Sequence, residues 1–383
     1  MKKIPYGRQH ITDEDIQAVI DVLKSDYLTQ GPKIAEFEAA FAEYIGCKYA
    51  VAVSNGTAAL HLSALALSTK QDDKVITTPI TFAASANCVR YCGGDVIFAD
   101  IDPNTYLLDI NSVRELLHAS PIGTYKGIIP VDFAGYPLNL EEFRTLADEF
   151  GLWIIEDSCH APGGYFTDKN GQKQNCGNGN FADLSIFSFH PVKHIAAGEG
   201  GMITTNNEKL YNKLRNLRTH GIQQIPELRQ FNHGLWYYEM QELGFNYRLT
   251  DFQAALGNSQ LKRADAGLER RREIAAIYEN VFSRKSYIKR QTGIIDGHAY
   301  HLYVVEFEDR KGLYAYLRKK NIFAQIHYIP VHLMPYYRQF GWTEGDLPKA
   351  ENYYHHCLSL PMFPTLTEEE QEFVIKNIDE YYS

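Results

Sequence analysis

Residues 185–201 read SIFSFHPVKHIAAGEGG, which sets one lysine, Lys193, between His190 and His194, after an apolar run and before a glycine cluster. Most lysines are solvated heads on flexible stems, and in isolation Lys193 would be one of them. A lysine at the end of a strand can also be a nucleophile toward a carbonyl, if its surroundings lower its affinity for protons. Ser188 opens the same turn, and the GEGG run lets backbone pass closely without side-chain bulk. His190 and His194 read as structural residues.

Three further stretches supply complementary chemistry. In SNGTAAL, Gly56 and Thr57 stand where a strand hands over to a helix. The free N–H groups and positive dipole end of such a helix form a phosphate site. In PITFAASAN, Phe82 could stack on a flat ring. In EDSCHA, Asp157 ends an apolar run and His160 follows three residues later. Taken singly these are a plain turn capped by Thr57, a core aromatic, a helix-capping aspartate and a satisfied histidine. Their joint order is more informative: phosphate turn, aromatic, aspartate, then serine and lysine. A cofactor aldehyde that condenses with lysine, a phosphate tail, and a ring nitrogen kept protonated by a carboxylate describe pyridoxal 5′-phosphate.

These residues need a scaffold that brings strand ends together. The runs YAVAVS, KVITTP, DVIFAD, KGIIPVDF and LWIIEDS alternate with the helical patterns TAALHLSALAL, FAASANCVRYC and LEEFRTLADEFG. Such alternation implies βαβ crossovers and an α/β fold with a mostly parallel, helix-covered sheet, whose ligands bind beyond the carboxyl ends of the strands. LSIFSFH and GGMITTN lie too close for a crossover and are expected to be antiparallel. Upstream, TDEDIQAVIDVLKSD begins at the N-cap residue Thr12, and KIAEFEAAFAEYIG is a second helix stopped by Gly46. Past Arg248 the pattern changes. One long helical stretch from Thr250 to Phe282 is expected to lead into a smaller α/β domain built from HLYVVEFE, RKGLYAYLRKKN and FAQIHYIP. The expected division is a large domain of residues 1–248, whose N-terminal segment packs on the small domain, and a small domain of residues 249–383.

Composition narrows the function. The 383 residues carry a formal charge of -9, which disfavours nucleic-acid partners. Six cysteines without a CxxC pair predict reduced thiols and no metal site, hence a cytoplasmic protein. MKKIPYGRQH has no apolar run of a signal peptide, and no stretch is apolar enough to span a membrane. A phosphate loop of the GxxxxGK[ST] type and a GxGxxG dinucleotide turn are both absent, which sets aside nucleotide-binding folds of those types.

With these motifs in order, from IPYGRQ through LTQGP, SNGTAAL, PITFAASAN, EDSCHA, SFHPVKHIAAGEGG and GFNYRLTDFQAALG to HYIPVHLMPYYR, nearly the whole chain resembles the DegT/StrS type of sugar-nucleotide aminotransferases. The resemblance implies a fold-type I pyridoxal-phosphate-dependent transferase. In it Lys193 would carry the cofactor, Asp157 would pair with the pyridine nitrogen, and His160 would lie beside the phenolic oxygen. Phe82 would stack on the ring, while Gly56, Thr57 and Ser188 hold the phosphate. Asn246 of the NYR motif would reach the neighbouring active site of a homodimer. The family's dehydratases carry histidine at the lysine position, so Lys193 favours transamination. SFHPVK and IHYIPVHLMPYYR look most like the branch that makes the 4-amino sugar precursor of pseudaminic acid. That branch uses L-glutamate and a UDP-2-acetamido-2,6-dideoxy-hexos-4-ulose. By the same resemblance Tyr6, Leu28, Thr29, Gln30, Gly31, His327, Tyr328, Ile329, Pro330 and Tyr337 would line the nucleotide-sugar pocket. Other branches, of the perosamine, viosamine or bacillosamine type, would share the cofactor residues, as would a cofactor-binding regulatory protein without turnover.

Overall fold

Runs such as YAVAV, KVIT and WIIED are buried along most of their length, the signature of strands covered by helices on both faces. A computed structural model describes residues 3–223 and 226–383. In chain order it begins with β1 (Ile4–Pro5), α1 (Asp13–Leu23), α2 (Pro32–Ile45), β2 (Tyr49–Val53), α3 (Gly56–Ala66), β3 (Lys74–Thr77), α4 (Ala84–Tyr91) and β4 (Asp95–Phe98). It continues through α5 (Ile110–His118), β5 (Tyr125–Ile129), α6 (Leu140–Phe150), β6 (Trp153–Asp157), β7 (Tyr165–Thr167), β8 (Lys173–Asn175), β9 (Leu184–Ser188), β10 (Gly201–Thr205) and α7 (Glu208–Arg218). The last third holds α8 (Asp251–Leu261), α9 (Ala264–Phe282), β11 (Ile288–Gln291), β12 (Tyr303–Phe307), α10 (Arg310–Lys319), β13 (Ile322–Phe323), α11 (Pro335–Arg338), α12 (Pro348–His356), β14 (Cys357–Leu360) and α13 (Glu368–Tyr382).

Seven strands form the central sheet in the order β2-β10-β9-β6-β5-β3-β4. The pairs from β4 through β9 are parallel, and β10 runs antiparallel to both β9 and β2. The reversed β10 is the antiparallel junction expected from the short lysine segment. It brings Gly201 opposite both Val53 and Ser188. A β-carbon on Gly201 would lie 2.5 Å from the Asn55 carbonyl oxygen, so only glycine fits where β10 starts beside the turn into α3.

The second core is built on the three-stranded sheet β11-β12-β14, with Tyr278, Phe282, Leu313, Leu317, Val374 and Ile378 packed on it. Ile4 belongs to this core because β1 pairs in parallel with β13, Ile4 opposite Ile322. The single long helix expected after Thr250 is two helices. The chain breaks at Lys262 and Arg263, where Arg263 departs from helical geometry at φ -115°, ψ 9° and its guanidinium pairs with the buried Asp15 of α1. This tertiary ion pair outweighs a locally strong helix propensity. As a result α8 packs on α1 and α2, where Ala254 and Leu261 join Phe37 and Phe41. Within FAQIHYIP only Phe323, the last residue of β13, is strand, and Gln325 bridges to Ser359. Among the described residues no helix is long and apolar enough to cross a membrane.

Candidate active site

The carboxyl ends of β2, β3, β6 and β9 open onto a cavity of about 740 Å³. Its wall includes Gly56, Thr57, Phe82, Asp157, His160, Ser188 and Lys193 from the large sheet, and Tyr6, His327 and Tyr328 from the second unit's side. The first seven of these come from four separate stretches of chain, and the parallel topology gathers them at one edge.

Asn55 fixes the start of α3. Its side-chain oxygen accepts the Ala58 N–H at 2.8 Å, and its carbonyl accepts the Ala59 N–H at 3.1 Å. The N–H groups of Gly56 and Thr57 are thereby left to face the cavity at the positive end of the helix. A β-carbon at Gly56 would meet the Ser188 β-carbon at 3.0 Å, so glycine lets the serine hydroxyl approach this turn. Removing the cap with Asn55→Ala should lower stability by about 1 kcal/mol in thermal unfolding and weaken cofactor retention. Unchanged retention on dialysis would show that the helix start does not hold the phosphate.

Asp157 ends β6 and is buried. The Ser85 hydroxyl donates to its Oδ2 at 2.6 Å and the Cys159 N–H to its Oδ1 at 3.2 Å, while Ser85 Oγ is also 2.7 Å from Thr81 Oγ1. Lys193 follows a turn in which its N–H donates to the His190 carbonyl at 2.8 Å. Burial pulls its ammonium below the usual lysine range; Cys159 and Asp157 oppose that, and Arg271 adds to it. His160 accepts the Ala134 N–H on Nδ1 at 3.1 Å, which places the ring proton on Nε2, 3.3 Å from the Tyr328 hydroxyl. Burial, followed by the charge on Lys193, keeps this imidazole neutral. Phe82 is 63% exposed at the cavity mouth, its ring 6.4 Å from that of Tyr328. His327 is held on Nδ1 by the Ser359 hydroxyl at 2.9 Å, and burial takes it down to about 3.

Several expected residues lie elsewhere in the single chain. Gln30 and Gly31 border a separate hollow of about 220 Å³ with Arg215, Arg218 and Arg248. The cause is Asp251, whose carboxylate accepts the N–H groups of Gly31 at 2.8 Å and Lys33 at 3.0 Å and ties the turn to α8. Thr29 bridges to Thr250 and Leu28 is exposed beside it. Asn246 is exposed and bridges to Thr219, although the adjacent Tyr247 does border the cavity. Tyr337 donates to Asn87 at 2.7 Å and lines a third hollow of about 350 Å³ with Arg90, Tyr91 and Tyr336. Ile329 is half-exposed and Pro330 buried, and neither borders the cavity. Ser85, Cys159, Glu199, Tyr247 and His301 do border it and were not expected. Ser85 had a signal, one helical turn past Phe82 in the same motif. His301 had none.

On the opposite side of β6 from Asp157 is a buried carboxyl pair. Asp132 and Glu156 bring their oxygens within 4.8 Å of each other and of the Cys176 sulfur. Asp132 accepts from the Leu138 N–H and the Ser158 hydroxyl; Glu156 accepts from the Gly177 N–H and the Ser185 hydroxyl. Burial, with the neighbouring carboxylate, pushes Asp132 well above the usual range, and burial also raises Glu156. The pair therefore shares a proton. Its stabilisation is complete below the ordinary carboxylate range and is lost as pH rises through the raised folded value. Glu156→Gln, which substitutes a non-titrating amide, should gain stability over wild type by about 1–3 kcal/mol at alkaline pH. Parallel curves of melting temperature against pH would refute the shared proton.

The cavity fits pyridoxal phosphate by its donors: free amides and a hydroxyl at a helix start, a buried carboxylate, an exposed aromatic face, and an amine with reduced proton affinity. Known proteins agree. Over 379 residues, 97% of this chain and 95% of the relative, it is 37% identical to the UDP-4-amino-4,6-dideoxy-N-acetyl-beta-L-altrosamine transaminase of Campylobacter jejuni. It is 39% identical to the spore coat polysaccharide biosynthesis protein SpsC of Bacillus subtilis, over 98% of this chain and 96% of that one. Helicobacter pylori PseC, an aminotransferase of pseudaminic acid biosynthesis, superposes with a TM-score of 0.89 at 31% identity and 99% coverage of both chains. The model of the DegT/DnrJ/EryC1/StrS aminotransferase family matches residues 9–379. The chain therefore belongs to this family and is a pyridoxal-phosphate-dependent sugar aminotransferase.

Proposed function

We propose that the enzyme moves an amino group from L-glutamate to C4 of a UDP-2-acetamido-2,6-dideoxy-4-keto-hexose, giving the 4-amino sugar used for pseudaminic acid. The observation that carries this reading is the convergence of Lys193, Asp157 and the start of α3 in one cavity. The likeness to the Campylobacter transaminase across nearly the full length supports the choice of sugar.

When bound, pyridoxal phosphate supplies an aldehyde carbon that carries the amino group and a ring that accepts electron density. Gly56, Thr57 and Ser188 would hold its phosphate, Phe82 would cover the ring, and His160 would lie on the side of the phenolic oxygen. Asp157 would hold a proton on the ring nitrogen, and its own orientation is set by Ser85 and the Cys159 N–H. Lys193 anchors the cofactor covalently. Its amine, whose proton affinity burial lowers, would take the proton from the α-carbon of glutamate and return one to C4 of the sugar. Because Lys193 lines one wall of the cavity, it would deliver that proton from one side and so set the configuration at C4.

The working unit in this reading is a homodimer. Phe231, Leu235, Trp236, Met240 and Leu243 are all exposed between Pro226 and Asn246, a concentration of apolar surface suited to a second copy. Asn246 and the turn of Leu28, Thr29, Gln30 and Gly31 lie near that excursion and serve the partner's site, whereas Tyr6, His327 and Tyr328 serve their own. Ile329, Pro330 and Tyr337 shape the outer pocket from behind. The large domain spans residues 1–248 and the small one 249–383, with β1 exchanged to the small unit and α8 to the large. Six free thiols suit the cytoplasm.

Absorbance spectroscopy tests the reaction. The visible band of the lysine-bound cofactor should give way to a near-ultraviolet band on adding L-glutamate. A UDP-linked 4-keto-N-acetylated sugar should restore it, and dTDP- or GDP-linked 4-keto sugars should not. Restoration by another sugar would assign a different branch, and a band unmoved by glutamate would refute transamination from that donor.

A further inference from the structure

A directed chain of hydrogen bonds passes through the ring of His160. Its Nδ1 accepts the Ala134 N–H at 3.1 Å. Ala134 presents that N–H from φ 61°, ψ -1°, a left-handed conformation disfavoured for a residue with a β-carbon. A backbone amide can only donate, so Nδ1 carries no proton and the neutral ring keeps its hydrogen on Nε2. Burial holds the imidazole in that neutral state. The Nε2–H then meets the Tyr328 hydroxyl oxygen at 3.3 Å. Tyr328 accepts this bond, so its own O–H points away from His160. Among the described residues no other group pairs with that hydroxyl.

Tyr328 is held in place from several sides. The His327 carbonyl, just before it, accepts the Tyr353 hydroxyl at 2.6 Å, and His327 Nδ1 is 2.9 Å from Ser359 Oγ. The Tyr328 ring stands 6.4 Å from that of Phe82, 6.1 Å from that of Phe133 and 6.3 Å from that of His160. It borders the same cavity as Lys193. Burial raises its proton affinity, so it remains a donor across the neutral range. Several other hydroxyls of that wall are engaged elsewhere. Thr81 pairs with Ser85 and Ser85 with Asp157, Tyr247 is 3.2 Å from His61 Nδ1, and Ser188 lies against the Gly56 turn.

We propose that the Tyr328 hydroxyl, its direction fixed by Ala134 and His160, donates a hydrogen bond to the C4 carbonyl oxygen of the nucleotide sugar. The inference rests on the reading of the substrate as a 4-keto sugar. A ketone oxygen offers lone pairs and no proton, so a hydroxyl already committed to accept from His160 and left free to donate suits it. The bond draws electron density from C4, opens that carbon to attack by an amine, and holds the reacting end of the sugar within the cavity that Lys193 borders.

The holoenzyme with its cofactor on Lys193 and no amino donor present binds the keto sugar without converting it, which allows a direct reading. With a carbon-13 label at C4 of the UDP-linked 4-keto sugar, the carbonyl resonance of the bound ligand should move downfield from its free position in the wild type. It should stay at the free position in Tyr328→Phe. Calorimetry should show Tyr328→Phe binding the keto sugar about three- to tenfold more weakly and UDP equally well. His160→Gln keeps an acceptor for Ala134 and an amide donor for Tyr328, and should retain the downfield shift. His160→Leu keeps neither and should lose most of it, and this pair decides the matter if Tyr328→Phe does not fold. An unmoved resonance in the wild type, an equal shift in Tyr328→Phe, or equal weakening of UDP and keto sugar would overturn the proposal, as would equal shifts in the two His160 variants. A wild-type holoenzyme that binds UDP but not the 4-keto sugar would instead refute the substrate reading beneath it.

Discussion

Lys193→Ala should lower transamination by at least about a thousandfold while leaving the protein folded. A positioned proton-transfer group alone contributes on the order of a hundred- to ten-thousandfold, and in the proposed reaction one amine would both anchor the cofactor and move protons at two carbons. The side chain is partly buried and has no hydrogen-bond partner among the described residues, so its removal leaves the Lys193 N–H turn bond to His190 and the Ser188 and Gly201 pairing intact. The check is amine product formed from L-glutamate and the 4-keto nucleotide sugar, with circular dichroism as the fold control. Lys193→Arg should be equally inactive, because a guanidinium retains its proton and does not condense with an aldehyde. Turnover within tenfold of wild type in either variant would remove Lys193 from the chemistry.

The second large effect is expected from Asp157→Asn, a loss of about a hundred- to thousandfold in kcat. The substitution keeps shape and removes charge. A neutral amide cannot hold a proton on the pyridine nitrogen by ion pairing, so the ring accepts electron density poorly. The Ser85 hydroxyl, 2.6 Å from Oδ2, is a donor suited to a carboxylate, and Ser85→Ala should cause a smaller loss in the same direction. An Asp157→Asn enzyme with wild-type kcat would show that the carboxylate serves packing, not the ring.

The site was legible where it depended on local pattern. Asp157 and Ser188 are the last residues of β6 and β9, Gly56 and Thr57 open the helix after β2, and Lys193 lies in the short segment after β9, and strand ends can be read from apolar runs and the turn residues behind them. Side chains delivered by distant segments were not. His301 reaches the cavity because Arg271, Ala134 and Gly135 hold its loop, and no spacing in the sequence announces that. The turn at Leu28, Thr29, Gln30 and Gly31 has a motif but takes its direction from Asp251, more than two hundred residues later. The helix after Thr250 divides for a similar reason, since the Arg263 partner, Asp15, belongs to the first helix of the chain. In each case a long-range polar contact overrode a local pattern.

The strand order carries a further consequence, for synthesis. β2 stands at the edge of the central sheet and has β10 as its sole strand neighbour, with Tyr49 opposite Thr205 and Val53 opposite Gly201. The turn that opens α3 therefore lacks the strand that β2 pairs with until the ribosome has released Thr205, well past Lys193. Nascent chains shorter than this lack the floor of the phosphate site altogether. Lys193 emerges before that floor is laid, so under the proposed role a growing polypeptide would carry its reactive amine before it could retain the cofactor that would mask it.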